Sequence, residues 1–255
     1  MVNLTVQETL DYMVLYDTKL DGLIFDSESK EKFINGVIRY AEEKRVYFNE
    51  LFECESKDVG QLKAIFFIKR EDFVDYIERN FNRKPAEFAA GCFFGGEAQV
   101  LVNMNNPDSQ KYTLAHETLH LYFNRNIYKR GCADGVNRVR WLDEAFAVYL
   151  DGKPDDITPK MLEGMINRLS KVPAEFDMAI LDDVNKIETD TYDGYDMFEI
   201  IGKYIFENHL EKDYLDMIKE SRDLIVEKGK TILHTAIDYC KSTLNIDNHV
   251  CDKLK

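Results

Sequence analysis

KYTLAHETLHLYF, residues 111 to 123, is the stretch on which the reading of this chain turns. Two histidines four apart on a helix project from one face, so His116 and His120 can both reach a single metal ion. Glu117 follows the first histidine by one residue. A carboxylate there lies beside the ion rather than under it and can take a proton from a water that the ion activates. The flanks predict a helix packed around most of its circumference, with Tyr112, Leu114, Ala115, Leu119, Tyr122 and Phe123 apolar and Pro107 and Asp108 as its start. Chance alone yields His-Glu-x-x-His on the order of once per hundred chains of this length. The rest of the chain therefore has to support the motif.

A catalytic zinc site takes three protein ligands and leaves one position for water. A continuation with glycine three positions on and histidine six positions on is excluded, because Phe123 and Asn126 stand there. His209, His234 and His249 remain as distant histidines, none in a segment with the marks of a ligand helix. A carboxylate on the next helix is the third route. Glu144 stands in RVRWLDEAFAVYLDG, residues 138 to 152, among Trp141, Leu142, Ala145, Phe146, Ala147, Val148 and Leu150. An ionised carboxylate in such surroundings is expensive without a partner, and a metal ion is one.

HETLH followed by WLDEAFAVYL resembles the gluzincin zinc metallopeptidases, whose motif pairs H-E-x-x-H with a downstream W-L-x-E-G-x-A-x-Y helix. The echo is strongest for the aminopeptidase N type within the peptidase MA-like superfamily. The resemblance implies one zinc ion on His116, His120 and Glu144, Glu117 as general base, and a peptide or protein as substrate. It implies a zincin-like (thermolysin-like) catalytic domain of the α+β class. Asp143 falls on the variable position of that helix, and Ala145 stands where the family has glycine. The stretch between the motifs is a few residues longer than in the family and lacks its tryptophan and G-N elements. The family also places a tyrosine, well after the third ligand, against the oxyanion that forms during hydrolysis. In TYDGYDMFEIIGKYIFENHL, residues 191 to 210, Tyr195 takes that place, with Tyr204 and Ile205 nine and ten positions later. Tyr192 is the alternative.

Zincins carry a strand before the metal helix that pairs with the bound peptide. GCFFGGEAQVLVNMNN, residues 91 to 106, reads as that edge strand, with alternating side chains from Gln99 to Met104 and a turn at Asn105, Asn106 and Pro107. Gly95 and Gly96 would let a substrate approach the backbone. Glu97 is at most a faint match to the glutamate with which related aminopeptidases hold a substrate amine. It reads as a solvated strand residue.

Hydrophobic periodicity predicts a long helix over 27–52, a strand over 63–69, a helix over 71–81, and then helices over 159–170, 197–209, 212–228 and 231–243. The expected layout is one catalytic unit over 1–255. Its residues 1–150 form an α+β lobe holding both motifs, and 151–255 form a helical lobe. At 255 residues and 45% hydrophobic, the chain is long and apolar enough to bury a core.

A net charge of −14 with no basic stripe argues against nucleic acid. No apolar run reaches membrane length, and the first residues lack the basic start and apolar core of a leader. The five cysteines are odd in number and never in a C-x-x-C pair, which reads as reduced thiols and a cytoplasmic location. The oligomeric state has no marker. DTYDGYD, residues 190 to 196, lacks EF-hand spacing and reads as a loop. Two alternatives share the same motif: a catalytically silent gluzincin-like binding or regulatory protein, and a hydrolase of a non-peptide substrate.

Overall fold

A computed structural model describes residues 4–17, 27–87, 89–94, 96–103, 105–106, 109–128, 138–152, 157–173, 176–183 and 186–244. The fold is mixed α and β, as the α+β expectation requires. The chain divides into two compact units: Met1–Arg138 with Leu150–Lys153, and Val139–Tyr149 with Pro154–Lys255.

The first unit is built on a five-stranded sheet. Leu4–Glu8 (β1) and Tyr12–Asp17 (β2) pair antiparallel, Leu62–Phe67 (β3) joins β2 in parallel, and Glu97–Leu101 (β5) joins β3 in parallel. Gly91–Phe94 (β4) then pairs antiparallel with β5, giving the order β1-β2-β3-β5-β4. Parallel neighbours need a crossover, and helix Ser27–Phe52 (α1) carries the chain from β2 to β3. The β1–β2 hairpin is absent from the sequence reading, because Glu8 and Asp11 break the apolar run that Tyr12, Val14 and Tyr16 continue on one buried face. The expected edge strand over 91–106 is a hairpin instead. β5 is interior, and β4 is the edge.

The two faces of this sheet carry different helices. Ile65 and Phe67 pack with Phe73 and Ile77 of helix Arg70–Phe81 (α2). On the opposite face, helix Gln110–Tyr122 (α3) packs against α1, β4 and β5. Tyr12 and Thr118 share a hydrogen bond of 3.0 Å, and the Thr118 hydroxyl lies 2.6 Å from the Leu114 carbonyl, so β2 holds α3 through a buried polar pair. Arg45 of α1, 1% exposed, lies between the rings of Tyr12 and Tyr122 and donates to the carbonyls of Asp11, Ser56 and Gly60. Its charge is buried at low penalty because carbonyls and aromatic faces receive it. A π turn, Phe123–Ile127, ends α3.

The second unit is helical: most of Arg140–Leu150 (α4), Pro159–Leu169 (α5), Gly194–Glu207 (α6), Glu211–Glu220 (α7) and Arg222–Thr243 (α8). Asp193 caps α6 through the Tyr195 amide at 2.8 Å, so that helix starts three residues before the periodicity suggests. The break expected near residue 229 lies at Ser221, whose hydroxyl accepts from the Asp223 amide. Gly229 stays inside α8 because Trp141 fills the space beside it: a Cβ there would sit 3.0 Å from the indole nitrogen. Among the described residues, no helix is long and apolar enough to cross a membrane.

Candidate metal centre

α3 is buried on most of its surface, and two of its polar residues are buried with it, Glu117 at 4% exposed and His120 at 6%, while His116 is half-buried. The four-residue spacing sets the two imidazoles edge to face, with ring centroids 4.8 Å apart. In the second unit, α4 is one of the most apolar helices, and Glu144 is 5% exposed on it. His116, His120 and Glu144 form one group. Ligand atoms, one from each, all lie within 4.8 Å of one another, an arrangement that can hold a metal ion.

Glu117 sits against β4. A Cβ built on Gly91 would lie 2.5 Å from Glu117 Oε1 and 2.7 Å from the Thr113 methyl, so the absence of a side chain at 91 is what makes room for the carboxylate. Phe93, two residues on and on the same face, has its ring centroid 6.4 Å from that of His120. The Leu101 amide donates to the Ala90 carbonyl at 2.8 Å. With that pair bonded, antiparallel alternation turns the backbone groups of Gly91 and Phe93 away from β5. Among the described residues no strand pairs with that outer side.

Two charged neighbours flank the ligands within their own units. Arg140 lies one turn before Glu144, with Nη1 3.8 Å from Oε1. Asp151 Oδ2 is 4.0 Å from His116 Nδ1. Around Asp151, burial pushes the Tyr40 hydroxyl up to about 12, helped by Tyr112 and by Asp151 itself, and burial lowers Lys44 against the attraction of Asp151. Neither Asp151 nor Gly91 is marked by the H-E-x-x-H pattern. Only their glycine-bearing contexts, Gly91 opening a strand and Asp151 before Gly152, gave a signal in sequence.

The remaining expected residues are placed as follows. Tyr195 lies in the first turn of α6, partly buried, its ring 5.5 Å from Phe198. Tyr192 packs on Phe176 and donates its hydroxyl to the Lys186 carbonyl at 2.9 Å. Gly96, between β4 and β5, has φ of 83°, and Gly95 lies outside the described residues. Glu97 is not a solvated residue: it is paired with Lys63 and accepts from the Tyr76 hydroxyl at 3.2 Å. It shares the α2 face with Phe94, whereas Gly91 and Phe93 face α3. In the acidic segment, Asp193 caps α6 and Asp196 receives Arg168 through two bonds of 2.7 and 3.0 Å.

No protein-family model matches the chain, and no curated protein matches it either.

Proposed function

We propose that this chain is a zinc metallopeptidase of the gluzincin type with a zincin-like (thermolysin-like) catalytic domain. The observation that carries the reading is the grouping of His116, His120 and Glu144 within 4.8 Å, with Glu117 on the same helix as the two histidines. Two imidazoles and one carboxylate are the donor set of catalytic zinc sites that leave a position for water. Zinc held there supplies Lewis acidity, bringing a coordinated water to a pKa of about 7.

Glu117 is then the group that takes the water proton and delivers it to the leaving amine. Its burial beside Gly91 keeps bulk water from competing for that proton. Tyr195 is the proposed donor to the oxyanion. Gly91 and Phe93 turn outward, at the sheet edge beside Glu117, backbone groups that no strand pairs with among the described residues, which suits an extended peptide added as a further strand. Gly96, which follows that strand, completes the proposed substrate path.

The test is a peptide-library digest read by mass spectrometry, with zinc-loaded wild type and Glu117→Gln compared at equal metal content. Cleavage by the wild type and none by the variant is expected. Equal turnover by both would remove Glu117 from the mechanism. Zinc bound at one equivalent with no peptide cut would leave a binding protein or a hydrolase of another substrate.

A further inference from the structure

The rim strand β4 adjoins Glu117 on one face and carries aromatic residues on the other. We infer that Phe94 and Phe81, on the face turned away from α3, select the substrate: a peptide added along β4 lays an aromatic side chain on them, three residues from its position opposite Gly91. This selection rests on the peptidase reading above, and it sets which peptides are taken rather than how they are cut.

Side chains alternate along a strand, so β4 divides its residues between the two faces of the sheet. Gly91 and Phe93 face α3, whereas Cys92 and Phe94 pack against Ile65, Phe67, Phe73 and Ile77 on the α2 side. Residues directly opposite on neighbouring strands share a face, with Cβ atoms about 4.5–5.5 Å apart. A peptide with one residue opposite Gly91, beside Glu117, therefore sends the residue three positions along onto Phe94. In an antiparallel pairing that position is also one of the closer, non-hydrogen-bonded pairs, because the backbone groups of Phe94 turn to β5. Main-chain bonds at such an edge give affinity, and the surfaces that meet alternate side chains give specificity.

The receiving surface is aromatic and held in place. The Phe94 ring centroid lies 5.8 Å from that of Phe81, the last residue of α2; Phe81 lies 6.2 Å from Tyr76, and Tyr76 5.3 Å from Phe67. Exposure rises outward along this row: Phe67 is 6% exposed, whereas Tyr76, Phe81 and Phe94 are half-buried. A further ring laid on Phe94 extends the row and takes its outer members out of water. Asn82, with φ of 51°, ends α2 directly after Phe81. At the other end of that helix, Arg70 donates to the Ala86 and Ala89 carbonyls at 2.6 and 2.9 Å, which ties down the chain leading into β4. Charge favours a neutral side chain at this seat. Glu97, opposite Phe94 on β5, is already engaged by Lys63 and the Tyr76 hydroxyl, so it offers little to a lysine or arginine of the peptide. All of these residues belong to the first unit.

The experiment captures peptides from a random library on the Glu117→Gln protein, with zinc supplied, and aligns them with the sites that the wild type cuts in the same library. Both steps are repeated in the Phe94→Ala, Phe81→Ala and Phe94→Glu backgrounds, each checked by a thermal melt. Expected is an excess of Phe, Tyr and Trp over Ala of about 10-fold at one position of the captured peptides. In the peptides that are cut, that position should lie about three residues from the scissile bond. The excess should fall away in both alanine variants and give way to Lys and Arg in Phe94→Glu, an exchange that a merely structural role would not produce. Phe81 ends a helix, so Phe81→Ala decides the matter if a substitution in β4 unfolds the hairpin. No excess in the wild-type background, or an aromatic excess that persists in the folded variants, overturns the assignment. Cutting by the wild type without the excess overturns this selection and leaves the peptidase reading in place. Capture with the excess and no cutting overturns the peptidase reading and leaves the seat, and neither capture nor cutting overturns both.

Discussion

Replacing Gly91 by alanine should impair hydrolysis while sparing the metal and the fold. The added Cβ would stand 2.5 Å from Glu117 Oε1, 3.3 Å from its Cδ and 2.7 Å from the Thr113 methyl. Ordinary contact begins near 3.4 Å, so the carboxylate has to retreat by about 0.9 Å and the methyl by about 0.7 Å. Both are ends of side chains rather than backbone, so the fold gives locally, at about 1 kcal/mol. A general base tolerates the shift poorly, because a displacement of about 1 Å from reacting geometry lowers turnover about 100-fold. The atoms nearest the new methyl belong to Glu117 and Thr113 rather than to the three residues of the metal group, so zinc content should remain at one equivalent. The assay is steady-state cleavage of a peptide found in the library digest, with zinc measured on the same sample and urea unfolding as a control. Turnover within about threefold of wild type in a zinc-loaded, folded Gly91→Ala protein would refute the reasoning, since the carboxylate would then not work from the position beside β4.

Glu144→Gln should weaken zinc binding more than about 100-fold, beyond what a group behind a ligand contributes, and chelator competition reads it directly. Gly202→Ala should destabilise the second unit by about 2 kcal/mol, because its Cβ would meet the Ala145 carbonyl at 2.5 Å and backbone cannot move aside cheaply; urea unfolding measures it, and an unchanged midpoint would contradict the α4–α6 packing. Arg168→Ala leaves Asp196 buried without its two charge-assisted bonds, and a loss of about 1–2 kcal/mol is expected, reduced because the arginine side chain is more than half exposed.

Much of the centre was legible in sequence because helical periodicity is local: four residues between His116 and His120 place both on one side of a helix whatever the surrounding fold. Helix boundaries are legible where caps or apolar stripes are local, as over 27–52 and, to within one residue, over 159–170. They were misread near Gly229, where a glycine that looks like a break is a seat for Trp141. The edge strand was misassigned for a similar reason. Alternation marks Gln99 to Met104 as a strand, but only pairing decides that β5, Glu97–Leu101, lies inside the sheet and β4 at its rim.

What sequence alone determined here is the inventory of the chemistry: two histidines and a glutamate on one helix, and a second glutamate stranded in an apolar helix that needs a partner. Tertiary structure decided the neighbours. Gly91 beside Glu117, Asp151 behind His116 and Glu97 turned away toward Lys63 and Tyr76 are separated along the chain by 26, 35, 34 and 21 residues respectively. No periodicity reaches across such intervals, because these contacts are set by which strands pair and which helix packs on which face of the sheet.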